Sequence, residues 1–297
     1  MGRRKGRELT GIFLLDKDKD ISSNSALQQV KRLYDAKKAG HTGSLDPMAT
    51  GLLPICFGKA TKICQYLLDS DKTYEATIQL GVQTETGDTE GDVIERSVVP
   101  DLPAEKIEQV LSDFRGSISQ VPPMYSALKK DGVPLYKLAR RGIEIEREAR
   151  DVVIHKLECL DYRSTLEQLD IRVTCSKGTY IRTLAEDIAK GIGCGAHLIM
   201  LRRTGCGLFS IDDAHQYFPM RDNRDKDSCI ISAENTFLDK EILTLPVAAH
   251  DHLMKTGKFI YDAPKQDGLY RLYHEYDDFF GIAIFKQGKM VQKQLFI

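Results

Sequence analysis

The sequence predicts an α+β fold with a small, β-rich unit at its C-terminal end. Two observations carry this. Between residues 10 and 210, stretches of period-two alternation and stretches of helical apolar spacing are mixed without a repeating strand–helix–strand rhythm, which argues against a doubly wound parallel sheet. From Leu243 onward, short apolar runs punctuated by Gly268, Gly281 and Gly288 dominate. That is the pattern of a small β-barrel or sandwich, too small to be very stable alone and expected to dock on the larger domain. The sequence holds no internal repeat, and the boundary is placed to give domains 1–238 and 239–297.

Taken in order, GIFLLDKDKDISS reads as a short apolar strand and a polar turn. Ala26, Leu27, Val30 and Leu33 then repeat at helical spacing, and Ser22, Ser23 or Asn24 can cap that helix. Ala60, Ile63, Cys64 and Leu67 place a short amphipathic helix at 59–68. In KTYEATIQLGV, Tyr74, Ala76, Ile78 and Leu80 face one way and the polar residues the other, a half-buried strand. Ile107, Val110, Leu111 and Phe114 mark a helix at 104–115. The stretch VPPMYSALKKDGVPLYKLARRG reads as a long insertion, functional or mobile rather than part of the core. Val152–Leu157 resembles a strand. Leu169, Ile171, Val173 and Cys175 share a strand face, and Ile181, Leu184, Ala185 and Ile188 share a helix face.

The chain has 297 residues, 42% of them hydrophobic, and a formal net charge of −1. It contains no uninterrupted apolar run of membrane-spanning length, and no apolar segment follows the basic N-terminus as in a signal peptide. Seven cysteines without a CxxC pair argue against a disulfide framework or a standard zinc site and fit a reducing cytoplasm. The CGAH stretch at 194–197 is expected to pack a helix end, and no metal is expected. Bulk charge does not announce nucleic acid, but its distribution does more. MGRRKGRE is a basic arm. Lys129, Lys130, Lys137, Arg140, Arg141, Arg147 and Arg150 follow closely in the insertion, and Arg202 and Arg203 in LRRTG. ETGDTEGD at 85–92 is acidic.

Three residues carry candidate chemistry. In GHTGSLDPMATG, Asp46 sits among glycines directly before a proline, which disfavours α backbone at that position. It is presented from a loop as a turn former, a helix N-cap or a nucleophile. Arg182, at the start of a helix, can fix and ionise a carboxylate. Tyr74 offers a flat ring for stacking and a hydroxyl for proton exchange. GxGxxG after a strand, the P-loop, HExxH and GxSxG are missing, so no cofactor or metal chemistry is implied.

Four blocks, GHTGSLDPMATGLLP, KTYEATIQLGVQTETGDTEG, VPPMYSALKKDGVPLYKLARRG and CSKGTYIRTLAEDIAKGIGCGAHLIMLRR, resemble in sequence and order the bacterial TruB family of tRNA pseudouridine synthases. The resemblance implies the pseudouridine synthase fold, a mixed, largely antiparallel sheet flanked by helices, with a β-barrel-like PUA-type RNA-binding domain at the C-terminus. It implies isomerisation of uridine-55 in the T-arm loop of tRNA by base flipping, without a cofactor. Asp46 matches the catalytic aspartate, Tyr74 the stacking tyrosine and Arg182 the arginine that pairs with the aspartate. His41, Tyr180 and Leu201 match pocket positions, and Lys62 is assigned to substrate binding with them. The segment 124–152 matches an insertion that closes over RNA. Lys129, Lys130, Arg140, Arg141, Arg202 and Arg203 would hold the RNA backbone. The expected protein is a cytoplasmic monomer that needs no membrane and no protein partner. Two other classes make contrasting demands: an RNA-folding helper would not need Asp46, and a glycosidase wants two acids flanking the bond.

Overall fold

The computed structural model describes residues 6–261, 266–276 and 278–296; the tip of the basic arm, residues 1–5, lies outside them. Strand β1 (Gly11–Lys17) carries the run IFLL because both of its faces are covered. Phe13 and Leu15 join the larger hydrophobic core, and Ile12 and Leu14 join a second core on the opposite face. Each such side chain, fully withdrawn from water, contributes about 1.5–3 kcal/mol. Helix α1 (Ser23–Leu33) is capped by Ser22, whose side chain accepts from the Ser25 N–H. Ser23 is thereby left for another task.

Strand β2 (Thr50–Phe57) pairs antiparallel with β1. The helix expected at 59–68 is two pieces, a 3₁₀ turn at Gly58–Ile63 and helix α2 (Cys64–Asp69). The Thr61 hydroxyl donates to the Gly58 carbonyl at 2.8 Å, a local bond that favours the tighter turn. The apolar face survives the change: Ala60, Ile63 and Leu67 are buried in the second core. Strand β3 (Lys72–Leu80) follows, then helix α3 (Ala104–Asp113) and the edge strand β4 (Gly116–Gln120).

Strand β5 (Arg150–Arg163) is much longer than the 152–157 expected. Register shifts between Ile154 and Lys156 and between Cys159 and Asp161 break the two-residue alternation on which the expectation rested. Strand β6 (Gln168–Cys175), helix α4 (Ile181–Ile192) and strand β7 (Ala196–Cys206) complete the frame. The main sheet runs β1-β2-β7-β3-β6-β5-β4, with the short strand His215–Gln216 outside β1. The pairings are antiparallel except β7 with β2 and His215–Gln216 with β1. Helices α1, α3 and α4 supply Val30, Leu111 and Leu184 to the larger core. The insertion at 124–152 contains a two-residue hairpin, Lys129–Lys130 with Val133–Pro134, and the short helix Leu135–Ala139.

The C-terminal unit is an open four-stranded sheet rather than a closed barrel. Strands β8 (Glu241–Leu245), β9 (Gly268–His274), β10 (Phe279–Lys286) and β11 (Lys289–Leu295) lie side by side in chain order. A helix absent from the sequence reading, α5 (Val247–Thr256), packs on it. That helix buries only Ala249 and Leu253, so its apolar period was faint. Ile282 of β10 enters the second core, which ties this sheet to the main one. Among the described residues no helix is long and apolar enough to cross a membrane.

One glycine of the GHTGSLDPMATG stretch is demanded by this packing. Gly51 has φ +103°, and a Cβ there would lie 2.3 Å from the Arg203 carbonyl oxygen of β7. Neither atom can yield without breaking the β2–β7 pairing. Gly51→Ala is therefore expected to lower stability by about 2–4 kcal/mol, read by denaturant unfolding; unchanged stability would show that the β2–β7 crossing is looser than this.

Candidate active site

A cleft of about 290 Å³ brings together Asp46, Tyr74, Tyr180 and Arg182. Asp46 comes from the loop before β2, Tyr74 from β3, and Arg182 from the first turn of α4, with Tyr180 at its N-cap. The loop is fixed on both sides of Asp46. Ser23 Oγ accepts from Leu45 N–H at 2.7 Å and donates to the Leu45 carbonyl at 3.0 Å. Lys17 Nζ donates to the carbonyls of Asp18 and Ile21, both at 2.8 Å, and of Pro47 at 3.3 Å. The Asp46 carbonyl closes a turn with Ala49 N–H at 3.1 Å. The turn is thus held by other groups, and the Asp46 carboxylate is left to face the cleft and Arg182.

Arg182 Nε lies 3.0 Å from Asp46 Oδ2. The pair is not the two-pronged fork that arginine can offer, because the other nitrogens are engaged. Nη1 donates to the Thr86 carbonyl at 2.8 Å, and Nη2 to the Tyr125 carbonyl at 2.7 Å. Asp88 Oδ2 is 3.6 Å from Nη1, behind the guanidinium. The side chain of Arg182 is 5% exposed and that of Asp88 2%, against 39% for Asp46. The acidic stretch 85–92 is therefore not simply a solvated run. Asp88 is buried, and accepts from Thr86 Oγ at 2.5 Å and Glu90 N–H at 2.9 Å.

Burial lifts the Asp46 carboxyl above its ordinary range; Arg182 draws it back, Asp88 pushes it up, and Lys17 draws it down. Lys17, 1% exposed, is itself pushed down to about 8, chiefly by burial. Tyr74 is raised by burial, and Arg203, its cross-strand partner on β7, moderates the rise. A raised phenol remains protonated at neutral pH, so Tyr74 presents a neutral ring and hydroxyl to the cleft. Tyr180 is held through its backbone: Gln120 Oε1 accepts from its N–H at 2.7 Å, and Gln120 Nε2 donates to its carbonyl at 3.1 Å.

Of the other predicted residues, Arg203 also lines the cleft and the rest stand outside its lining. Arg203 is 1% exposed, and its Nε donates to the Leu52 carbonyl at 2.7 Å, so it braces the loop and β2 from inside and is not a surface contact for RNA. Arg202 reaches Asp16 with both terminal nitrogens, at 3.0 and 2.8 Å, so its charge is already matched. Leu201 is buried in the larger core opposite Ala76, one pair further along the face that carries Arg203 and Tyr74, and does not line the cleft. Lys62 donates to the Leu295 carbonyl of β11 at 3.3 Å, towards the small sheet and not the cleft. His41 pairs with Ile55 outside the cleft lining; burial, with Arg203 second, lowers its pKa. Lys129, Lys130, Arg140 and Arg141 are exposed and, among the described residues, in no ion pair. Cys194 is buried in the larger core, and His197 Nδ1 lies 2.7 Å from the Val82 carbonyl.

Sequence reasoning missed Lys17, Ser23, Gln120 and Asp88. The first lies in a charge run, the second among three candidate caps, the third on an edge strand and the fourth in an acid stretch. Their common signal is burial, which emerges only with the tertiary fold. Chemically, Asp46 is, among the described residues, the one carboxylate lining the cleft. A paired-acid glycosidase arrangement is not built there, because Asp88 is screened by Arg182. The arrangement suits covalent catalysis by one fixed carboxylate beside a flat aromatic floor.

A family profile described as TruB family pseudouridylate synthase (N terminal domain) matches residues 31–181. A second, described as tRNA pseudouridylate synthase B C-terminal domain, matches residues 182–243. The tRNA pseudouridine synthase B of Francisella tularensis subsp. tularensis (strain FSC 198) is 51% identical over 291 residues, covering 97% of this chain and 95% of the relative. That of Francisella philomiragia subsp. philomiragia is 50% identical with the same coverage. In three dimensions, a chain from the crystal structure of a Cbf5–Nop10–Gar1 complex aligns with a TM-score of 0.71 at 24% identity, over 94% of this chain and 79% of that one. This shared architecture is the pseudouridine synthase fold.

The raised Asp46 carboxyl has a measurable sign. A carboxyl whose folded pKa exceeds its unfolded value stabilises the fold below the unfolded pKa and loses that contribution as pH rises through the folded pKa. The stability of Asp46→Asn relative to the parent chain should therefore increase from about pH 4 to pH 7. A difference that shrinks over that window, in parallel urea titrations, would mean that Arg182 outweighs burial at this site.

Proposed function

The chain belongs to the TruB family of pseudouridylate synthases, and on that premise we propose that it converts uridine-55 in the T-arm loop of tRNA to pseudouridine, with Asp46 as nucleophile. The observation that supports this most is the 3.0 Å contact between Arg182 Nε and Asp46 Oδ2 in a cleft floored by Tyr74. The relatives named for tRNA pseudouridine synthesis span nearly the whole chain, which supports tRNA as the substrate.

Pseudouridine has the atoms of uridine with the glycosidic bond moved from N1 to C5. The N1–C1′ bond opens, the uracil is held and turned, the C5–C1′ bond forms, the C5 proton leaves, and N1 gains a proton. No redox step is needed. The Asp46 carboxylate bonds to the substrate while the glycosidic bond is open and is released again as a free carboxylate when the isomer is complete, and Arg182 fixes its direction. Reaching the target requires flipping the nucleotide out of the loop, which costs a few kcal/mol. Stacking on Tyr74 offsets about 1–3 kcal/mol of that. Lys129, Lys130, Arg140 and Arg141, exposed on the insertion, bind the RNA backbone, so affinity falls steeply with salt. Residues 1–238 form the catalytic domain, and 239–297 act as a PUA-type RNA contact. The protein works as a cytoplasmic monomer without a protein partner.

Incubation with an unmodified tRNA transcript, followed by digestion and mapping, should place pseudouridine at position 55; modification elsewhere would overturn the assigned target. Asp46→Asn should bind the same transcript and form no product, whereas turnover near the parent rate would remove Asp46 as nucleophile. Arg182→Lys keeps the charge but loses the planar set of donors that reaches Asp46, Thr86 and Tyr125 at once, and should lower kcat by about 10²–10³ with a smaller change in KM. The parent kcat should fall on acidification, with a midpoint above the ordinary carboxyl value of about 3.9, because protonation removes the nucleophile.

A further inference from the structure

Lys177 lies on the rim of the same cleft, in the turn between β6 and α4. The turn that carries it is pinned by its neighbours, while the Lys177 side chain is held by one exposed ion pair. The neighbouring Ser176 Oγ accepts from Val153 N–H at 2.9 Å, and the Ser176 carbonyl accepts from Thr179 Oγ1 at 2.9 Å. Gly178 follows with φ +83° and open space around its Cβ direction. The ammonium of Lys177, on a side chain 63% exposed, lies 2.8 Å from Asp69 Oδ1 across the cleft mouth. Asp69 is the last residue of α2, directly after Leu68, which also lines the cleft. The pair therefore joins two walls of the opening through which a nucleotide must pass.

Asp69 has other ways to be satisfied. Gln65 Nε2 donates to its second oxygen at 3.0 Å. Lys72 adds attraction from below, although its ammonium is taken by the carbonyls of Leu67, Leu68 and Ser70. Lys177 has no second anionic partner among the described residues. A carboxylate end of an exposed pair is a weak competitor, contributing about 0–1 kcal/mol. A phosphate diester arriving beside a flipped base carries a full charge and takes charge-assisted hydrogen bonds.

Resting on the reading of the cleft as a nucleotide pocket, we propose that Lys177 is a phosphate-binding residue of the substrate site, and that Asp69 is an internal stand-in which the phosphate next to the flipped nucleotide displaces. The ion pair closes the mouth in the free protein and opens as RNA enters. Lys177 is a positioning residue: it touches backbone phosphate and not the reacting atoms.

The two partners then have opposite signs, which an ordinary structural salt bridge does not give. With an unmodified tRNA transcript, Lys177→Met should raise Kd and KM about tenfold with kcat changed less than twofold. It should also reduce the slope of log K against log salt by about 0.7, the share of one phosphate on a single strand. Lys177→Arg should restore most of the affinity. Asp69→Asn, which keeps the Gln65 contact, should tighten binding two- to fivefold, and the double variant should match Lys177→Met. Weaker binding in Asp69→Asn, or an unchanged salt slope in Lys177→Met, would overturn the proposal while leaving the cleft assignment standing. A parent protein that binds the transcript but makes no pseudouridine would overturn the cleft assignment and this proposal with it. Thermal unfolding of each variant within a few degrees of the parent separates binding losses from misfolding, and a variant that unfolds early is replaced by Lys177→Gln under the same criteria.

Discussion

A buried guanidinium organises this protein. Arg182 is almost wholly withdrawn from water, and an isolated charge there would be strongly unfavourable. The fold meets this with the carbonyls of Thr86 and Tyr125, with Asp88 behind, and with Asp46 in front. Those partners come from the turn after β3, from the insertion and from the loop before β2. The arginine cannot sit where it does unless all three segments are in place, and the one face it leaves open is the face that meets Asp46. Stability of the charge and aim of the carboxylate are the same set of contacts.

The loop bearing Asp46 is the other half of that constraint. Lys17, Ser23 and Arg203 grip its backbone at Pro47, Leu45 and Gly43, so the carboxylate is not spent on holding its own turn. Lys17 and Arg203 are two more buried cations within reach of the cleft. Lys17 moderates the electrostatic cost of an ionised Asp46 from outside the cleft lining, while Arg203 lines the cleft beside Tyr74. Buried cations thus surround the Asp46 carboxylate, and the exposed cations of the insertion, Lys129, Lys130, Arg140 and Arg141, stand outside the cleft lining.

Much of this was legible beforehand. The strand and helix faces around Ile78, Ile171 and Leu184 were readable because each is half-buried with a clean period. Asp46, Tyr74 and Arg182 each stand out by local context, but only the resemblance links them, since their separation in sequence carries no distance. What failed shares a cause. Charge patterning cannot tell a solvated arginine from Arg202, matched by Asp16, or from Arg203, which donates to buried carbonyls. Lys62 and Leu201 were placed by motif position, and the three-dimensional turn of the chain points them elsewhere. Gln120, which binds the Tyr180 backbone across the fold, and Asp88, which is buried against Arg182, gave no signal, because neither belongs to a local period. The length of β5 was hidden by its bulges, and α5 by how little it buries.

The central claim is that Arg182 holds Asp46 poised, lowering a carboxyl that burial alone would raise further. The most direct measurement is the titration of the Asp46 side-chain carbonyl by ¹³C NMR in the parent chain and in Arg182→Met. The account predicts a parent pKa above the ordinary carboxyl value and a further upward shift once the guanidinium is removed. A pKa that stays put or falls in Arg182→Met would contradict it, because the two groups would then not be coupled.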